Sequence, residues 1–189
     1  MPSVAFKEWA VVCRALGEAQ QTLILRKGGI AETGGEFRPE FDRFLLYPTY
    51  FHEQQQQGIR PEFAPLLVAA EADRPPTGFI RFTHAATVTA VRFVDRLDAV
   101  LALEGLHVWT EATVRQRFAY RTPGLYVLTV RVERLSSPIE VPEDPAFAGC
   151  KTWVHLPDDM SQDDEPVLSD VEYANAINEI AMRLVRGVI

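Results

Sequence analysis

The hydrophobic pattern changes period several times along the chain, and each change marks a predicted element. Phe6, Trp9, Ala10, Cys13 and Leu16 recur at helical spacing, so residues 4–17 read as an amphipathic helix ended by Gly17. Residues 22–27 read as a short strand that Gly28 and Gly29 stop. A loop with Gly34, Gly35 and Pro39 follows, then residues 43–47 read as a second strand, broken by Pro48. Pro61 opens a predicted helix through Phe63, Leu66, Leu67 and Ala70, and residues 72–78 (ADRPPTG) form a turn. Residues 79–94, rich in β-branched and aromatic side chains, are the longest predicted strand, with a bend near His84, Ala85 and Ala86.

Short helices are predicted over 95–103 and 110–119, the second with Thr110 as N-cap. Residues 125–134 alternate as a strand should, and Ser136, Ser137 and Pro138 are expected to end it. A further strand is expected over 150–156, then an acidic loop, 157–166, read as a solvated, mobile segment. The last helix, 168–185, starts at a capping box of Ser169 and Glu172 and places Val171, Ala174, Ile177, Ile180, Ala181 and Leu184 on one face. Strands and helices follow no strict βαβ period. The expectation is one α+β domain over 1–189, with a small curved sheet, mixed or antiparallel, and flanking helices.

Composition agrees with a folded chain: 47% apolar and 24% charged residues over 189 positions. Such a length can bury roughly 70% of the surface its unfolded chain exposes. No run reaches the roughly 20 apolar residues a membrane span needs, and Lys7, Glu8 and Arg14 interrupt the N-terminal segment, so no membrane partner and a cytoplasmic setting are expected. Cys13 and Cys150 stand far apart with no CxxC pair, which favours two buried thiols. The net charge of −7 is unevenly placed: residues 140–189 carry eleven acids and three bases, the rest fifteen acids and sixteen bases. A near-neutral body rich in arginine can grip phosphates locally without coating itself in nucleic acid.

Three stretches carry candidate chemistry. Arg26, Lys27, Gly28 and Gly29 put two cations at a strand end before residues that permit close backbone approach, which suits a phosphate; a glycine turn with solvated charges uses the same residues. Residues 47–53 (YPTYFHE) gather three rings, a hydroxyl, an imidazole and a carboxylate after a buried strand. There Tyr47 and Thr49 could contact a ligand and His52 could act as a general base, or the rings could plug the core. Around residues 107–121, Trp109 is interleaved with Arg115, Arg117 and Arg121, a combination seen on unpaired bases; Trp109 facing the core is the other reading. Metal ligation has no sequence support, because His52 and Glu53 lack the second histidine of HExxH and the other histidines are isolated. There is no Walker loop, dinucleotide fingerprint or GxSxG, and no cofactor is expected.

The blocks Lys7-Glu8-Trp9, Arg26-Lys27-Gly28-Gly29 and Tyr47-Pro48-Thr49 resemble the prokaryotic domain-of-unknown-function family 1802, over nearly the full chain. That resemblance implies an association with restriction-modification-like systems, and hence nucleic-acid recognition. Residues 87–141 are also similar in pattern to the PUA, ASCH and EVE superfamily of small β-barrels. The leading expectation is a noncatalytic module that binds DNA or RNA and reads a modified or unpaired base, in a restriction-like or RNA-processing system. Its site gathers Arg26, Lys27, Gly28, Gly29, Tyr47, Thr49, His52 and Trp109. The alternatives are an enzyme acting on nucleic acid or a nucleotide with His52 as general base, and a protein-interaction subunit or homo-oligomer using the last helix and the acidic loop.

Overall fold

The computed structural model describes residues 4–27, 32–33, 36–37, 40–50, 57–149, 151–157 and 163–186. In chain order the elements are β1 (Val4–Trp9), α1 (Ala10–Gly17), β2 (Leu23–Arg26), β3 (Glu32–Thr33), β4 (Glu36–Phe37), β5 (Arg43–Thr49) and α2 (Ala64–Ala72). They continue with β6 (Phe79–Val94), α3 (Leu97–Leu101), α4 (Glu111–Ala119), β7 (Leu125–Pro142), β8 (Trp153–His155), β9 (Asp164–Pro166) and α5 (Asp170–Arg186). Seven strands form one mixed sheet in the order β2-β7-β6-β5-β1-β8, with β9 also paired to β7. Only β1 and β5 run parallel within it, so the architecture is α+β.

The first departure from the sequence reading is at the N-terminus, where residues 4–9 are a strand and the helix begins at Ala10. The reason is burial on both faces. Val4 and Phe6 enter a large core with Leu16, Phe44 and Leu128, while Ala5 joins Leu45, Tyr47 and Phe82 in a second core on the opposite face. A strand covered on both sides reads as a continuous apolar run, and joined to the helix behind it the run imitates helical spacing. Phe6, Phe44 and Trp153 anchor the first core with centroid separations of 4.8, 5.0 and 5.1 Å. Each such pair adds about 0.5–1.5 kcal/mol beyond the area it buries.

β5 runs through Pro48 to Thr49 instead of stopping before it. By that point β5 has parted from β6, its last partner there being Leu45, so a residue without an N–H sits on a strand with one neighbour. β7 likewise runs through Ser136, Ser137 and Pro138. Phe82 pairs with Ile139 and His84 with Arg134, leaving residues 135–138 opposite Thr83 alone. The expected strand end is instead a large bulge, which a proline and two serines accommodate well.

Part of the acidic loop is ordered as well. Asp164–Pro166 pair with β7, and Arg43 holds both Glu133 and Asp164 through its two terminal nitrogens. The last helix begins at its expected capping box, with Ser169 and Glu172 bonded reciprocally. Its buried stripe is Tyr173, Ile180 and Leu184, and Val171 is 71% exposed, so the expected apolar face is rotated toward Tyr173. Tyr173 is drawn in by a 2.6 Å hydrogen bond between its hydroxyl and that of Thr89.

The sheet curls until its ends approach. β2 and β8 lie at opposite ends of the strand order, yet Arg26, the last residue of β2, donates to Thr152 Oγ1 at 3.0 Å, directly before β8. The same guanidinium lies 4.7 Å over the ring of Phe6 in β1. One side chain therefore straps the open seam of a strongly curved sheet.

Candidate functional site

The parallel pair β1 and β5 sets the site. Its register places Lys7 beside Tyr47, Glu8 beside Pro48 and Trp9 beside Thr49, so the C-terminal ends of both strands emerge together. The turn at 73–79 forms one facing wall, and the segment from Glu143 to Thr152 forms the other. Between them lies a cleft of about 790 Å³, within the range of ordinary ligand sites.

Its charge is lopsided. Lys7, Arg26, Arg74, Arg81 and Lys151 line it against one carboxylate, Glu143, in a chain of net charge −7. Lys7, Arg26, Arg81 and Lys151 all donate to backbone oxygens, and Arg26 and Arg81 are also ion-paired, with Glu8 at 3.3 Å and Glu140 at 2.6 Å. Lys7 Nζ donates to the carbonyls of Phe147 and Gly149, and Lys151 Nζ to that of Ala146 at 3.1 Å. Lys7 also stands 5.3 Å from the centre of the Tyr47 ring, and the Arg74 guanidinium 4.9 Å over Tyr50. Burial, with the nearby carboxylate of Glu143, pushes the Tyr47 hydroxyl up to about 12, so it stays a neutral hydrogen-bonding group. Burial raises Tyr50 to about 12 too. Thr49 donates its hydroxyl to the Glu8 carbonyl at 2.9 Å, fixing the strand end.

Arg26, Tyr47 and Thr49 thus share one concave surface, although Tyr47 is only 5% exposed. Lys27 goes elsewhere. Its ammonium caps the end of α4, donating to the carbonyls of Phe118 at 2.9 Å, Gly124 at 2.8 Å and Thr122. Trp109 is 1% exposed, wedged edge-on against Trp9 at 4.7 Å and covered by Arg117 at 3.8 Å, so it presents no ring to a base in this conformation. Gly28, Gly29 and His52 lie outside the described residues. Among the described residues no group of three or more His, Cys, Asp or Glu could hold a metal, and no helix is long and apolar enough to cross a membrane.

Sequence reading missed most of the cleft's cations, because Lys7, Arg74, Arg81 and Lys151 come from four separate segments. It also missed a second cavity, of about 590 Å³, that adjoins the first through Pro48, Tyr50 and Arg81. Cys13, Gly17, Thr83, His84, Arg134 and Leu135 are among its lining residues. Burial pushes the Cys13 thiol well up, which keeps it protonated and a poor nucleophile.

Residues 5–179 match the model of the family described as Domain of unknown function (DUF1802), and the chain belongs to that family. A search of curated proteins finds no match. Among solved structures the chain is similar to ASCH from Zymomonas mobilis, at 12% identity and a TM-score of 0.47, with 93% of each chain covered. Two point variants of that protein give TM-scores of 0.45 and 0.46 at the same identity, with 93% of this chain and 94% and 96% of theirs covered.

Proposed function

We propose that this member of the DUF1802 family is a noncatalytic nucleic-acid-binding module, and that the cleft between the β1/β5 strand ends and the 143–152 segment holds a single strand. The observation that carries this reading is the charge of the lining, five cations to one carboxylate on an acidic chain, with Arg26 and Arg81 also paired to Glu8 and Glu140 behind it. Surface acidity elsewhere repels nucleic acid, so attraction is confined to the groove and binding is local. Arginines and lysines lining it follow a phosphate backbone, and the half-buried Tyr50 contacts a sugar or base beside it. The biological setting we infer is recognition of an unpaired or modified base in a restriction-like or RNA-processing system.

Binding titrations with single-stranded and duplex RNA and DNA, at two salt concentrations, test this. Lys151 and Arg74 are exposed, so their substitution leaves the fold intact. The double variant Arg74→Ala/Lys151→Ala is expected to bind more weakly and to flatten the log–log salt slope by roughly 0.7 per lost phosphate contact on a single strand. An unchanged slope, or no binding of any strand by the parent protein at low salt, removes the proposal.

A further inference from the structure

The second cavity has a different chemistry from the cleft it adjoins. Ala10, Leu46, Ala70 and Leu135 give it apolar walls, and Thr83, Ser136 and His84 supply uncharged polar groups. Charged side chains of both signs, Arg134 and Asp73 among them, also line it. Arg14, on the rim, is occupied by Glu18 at 2.6 Å and by Asp73. The bulge of β7 makes this wall, since residues 135–138 swing away from β6 opposite Thr83. A recess with apolar walls, neutral hydrogen-bonding groups and charges of both signs suits a flat ligand with a hydrogen-bonding edge.

His84 is the group around which the recess is built. A Cβ at position 17 would stand 2.5 Å from its Cε1, so glycine at the end of α1 is what lets the ring lie there. Thr83 Oγ1 lies 2.9 Å from His84 Nδ1, while Nε2 is shielded from solvent and has no hydrogen-bond partner among the described residues. A buried polar atom left unpaired is costly, and a ligand that pairs with it recovers that cost. Burial, reinforced by Arg134 and Arg14, lowers the imidazole to about 4 and keeps it neutral, able to donate from one nitrogen and accept at the other.

We propose that this cavity is a recess for one nucleobase, turned out of a strand lying in the neighbouring cleft, with Tyr50 at the shared mouth and the His84 ring turning to bring Nε2 onto the base edge. The proposal rests on the reading of the cleft as a single-strand site. The two neighbouring sites divide the work that extruded-base recognition requires: the cationic cleft holds the backbone and the recess holds the base. Arg81 lines both and stands where the strand would pass from one to the other.

The test compares short RNA and DNA strands bearing a base at one central position, each base in turn and then 2-aminopurine, with the same strands abasic there. The parent protein is expected to bind at least one base-bearing strand about tenfold more tightly than its abasic twin, the size of one lost base contact. The 2-aminopurine fluorescence should rise on saturation as the base unstacks. His84→Phe, which fills the ring's place without hydrogen bonding, is expected to bind both strands alike with an unchanged salt slope. Should that variant misfold, the parent protein still answers: the ring nitrogens of His84 are expected to shift in NMR spectra on titration with nucleoside 5′-monophosphates. Salt-dependent binding that ignores the base, with no fluorescence rise and no shift at His84, overturns the recess and leaves the cleft standing. Failure to bind either strand overturns both.

Discussion

Arg26 and Glu8 form an ion pair across the seam of the curved sheet, with Nη1 3.3 Å from Oε2 and the Glu8 side chain only 2% exposed. The other Glu8 oxygen accepts the backbone N–H of Trp9 at 2.8 Å. Glu8 is buried and paired with Arg26, Arg117 also acts on it electrostatically, and Arg26 is held in turn by Phe6 and Thr152. Breaking such a pair from one side leaves an uncompensated charge, which costs far more than the pair contributes. Arg26→Met is therefore expected to lower unfolding free energy by about 3 kcal/mol in urea titrations. Arg26→Met/Glu8→Gln should recover much of that loss, because Gln still accepts from Trp9 and carries no charge. A double variant as unstable as the single one would show that the strap works through packing on Phe6 alone.

Lys27 is expected to matter for stability and not for binding. Its ammonium satisfies carbonyls at the end of α4, where a helix leaves acceptors without internal partners and where positive charge is favoured. Lys27→Met should cost about 1–2 kcal/mol by chemical denaturation. Its salt-dependent affinity for single strands should match that of the parent. A loss of affinity in a variant that melts normally would return Lys27 to the binding surface.

How much of this was legible in the sequence depends on how local the determining interactions are. The capping box at Ser169 and Glu172, the Thr110 cap and the long strand β6 depend on neighbours a few positions away, and each stands where it was expected. The N-terminal strand was misread because both of its faces are covered by distant segments, a fact that periodicity within fourteen residues cannot express. Arg26, Tyr47 and Thr49 could be singled out because a strand end announces itself, and they line one cleft. The assignment of Lys27 depended on where α4 ends, about ninety positions away. Trp109 and its arginines had two readings that differ only in which helix face is covered, and Trp9 settles that by packing against it. The cavity at His84 was invisible, since it comes from a missing Cβ at Gly17 and a bulge fifty residues on.

The acidic segment is pinned by one arginine. Arg43 on β5 reaches Glu133 on β7 and Asp164 on β9, so two carboxylates share a single guanidinium. Arg43→Met leaves those carboxylates facing each other with no counter-charge. We expect a destabilisation on the order of 2–3 kcal/mol and faster proteolysis near Asp164, since the Arg43 pair joins β9 to β5 beyond its pairing with β7. Adding Glu133→Gln and Asp164→Asn should restore protease resistance. Unaltered cleavage in Arg43→Met would mean that the backbone pairing of β9 suffices.

Acid sensitivity should come largely from two histidines, His107 and His84, and His107 is the more buried. It is 2% exposed, its Nδ1 accepts the Trp109 backbone N–H at 3.2 Å, and its Nε2 has no partner among the described residues. Burial, then the nearby Arg60 and Arg117, lowers its pKa from 6.5 to about 4. The folded form thus stays neutral while the unfolded chain takes up a proton first. A depressed folded-state pKa means that the stability due to this histidine is present in full above about 6.5 and drains away as pH falls toward about 4. Within that window each such group steepens the loss by up to about 1.4 kcal/mol per pH unit. His84 behaves in the same sense, so two protons act together. His107→Asn, whose side-chain oxygen can still accept from Trp109, should flatten the fall in unfolding free energy between pH 6.5 and 4 without raising stability at pH 8. The measurement is a series of urea titrations across that range. A parallel fall in parent and variant would place the acid sensitivity in His84 or the carboxylates instead.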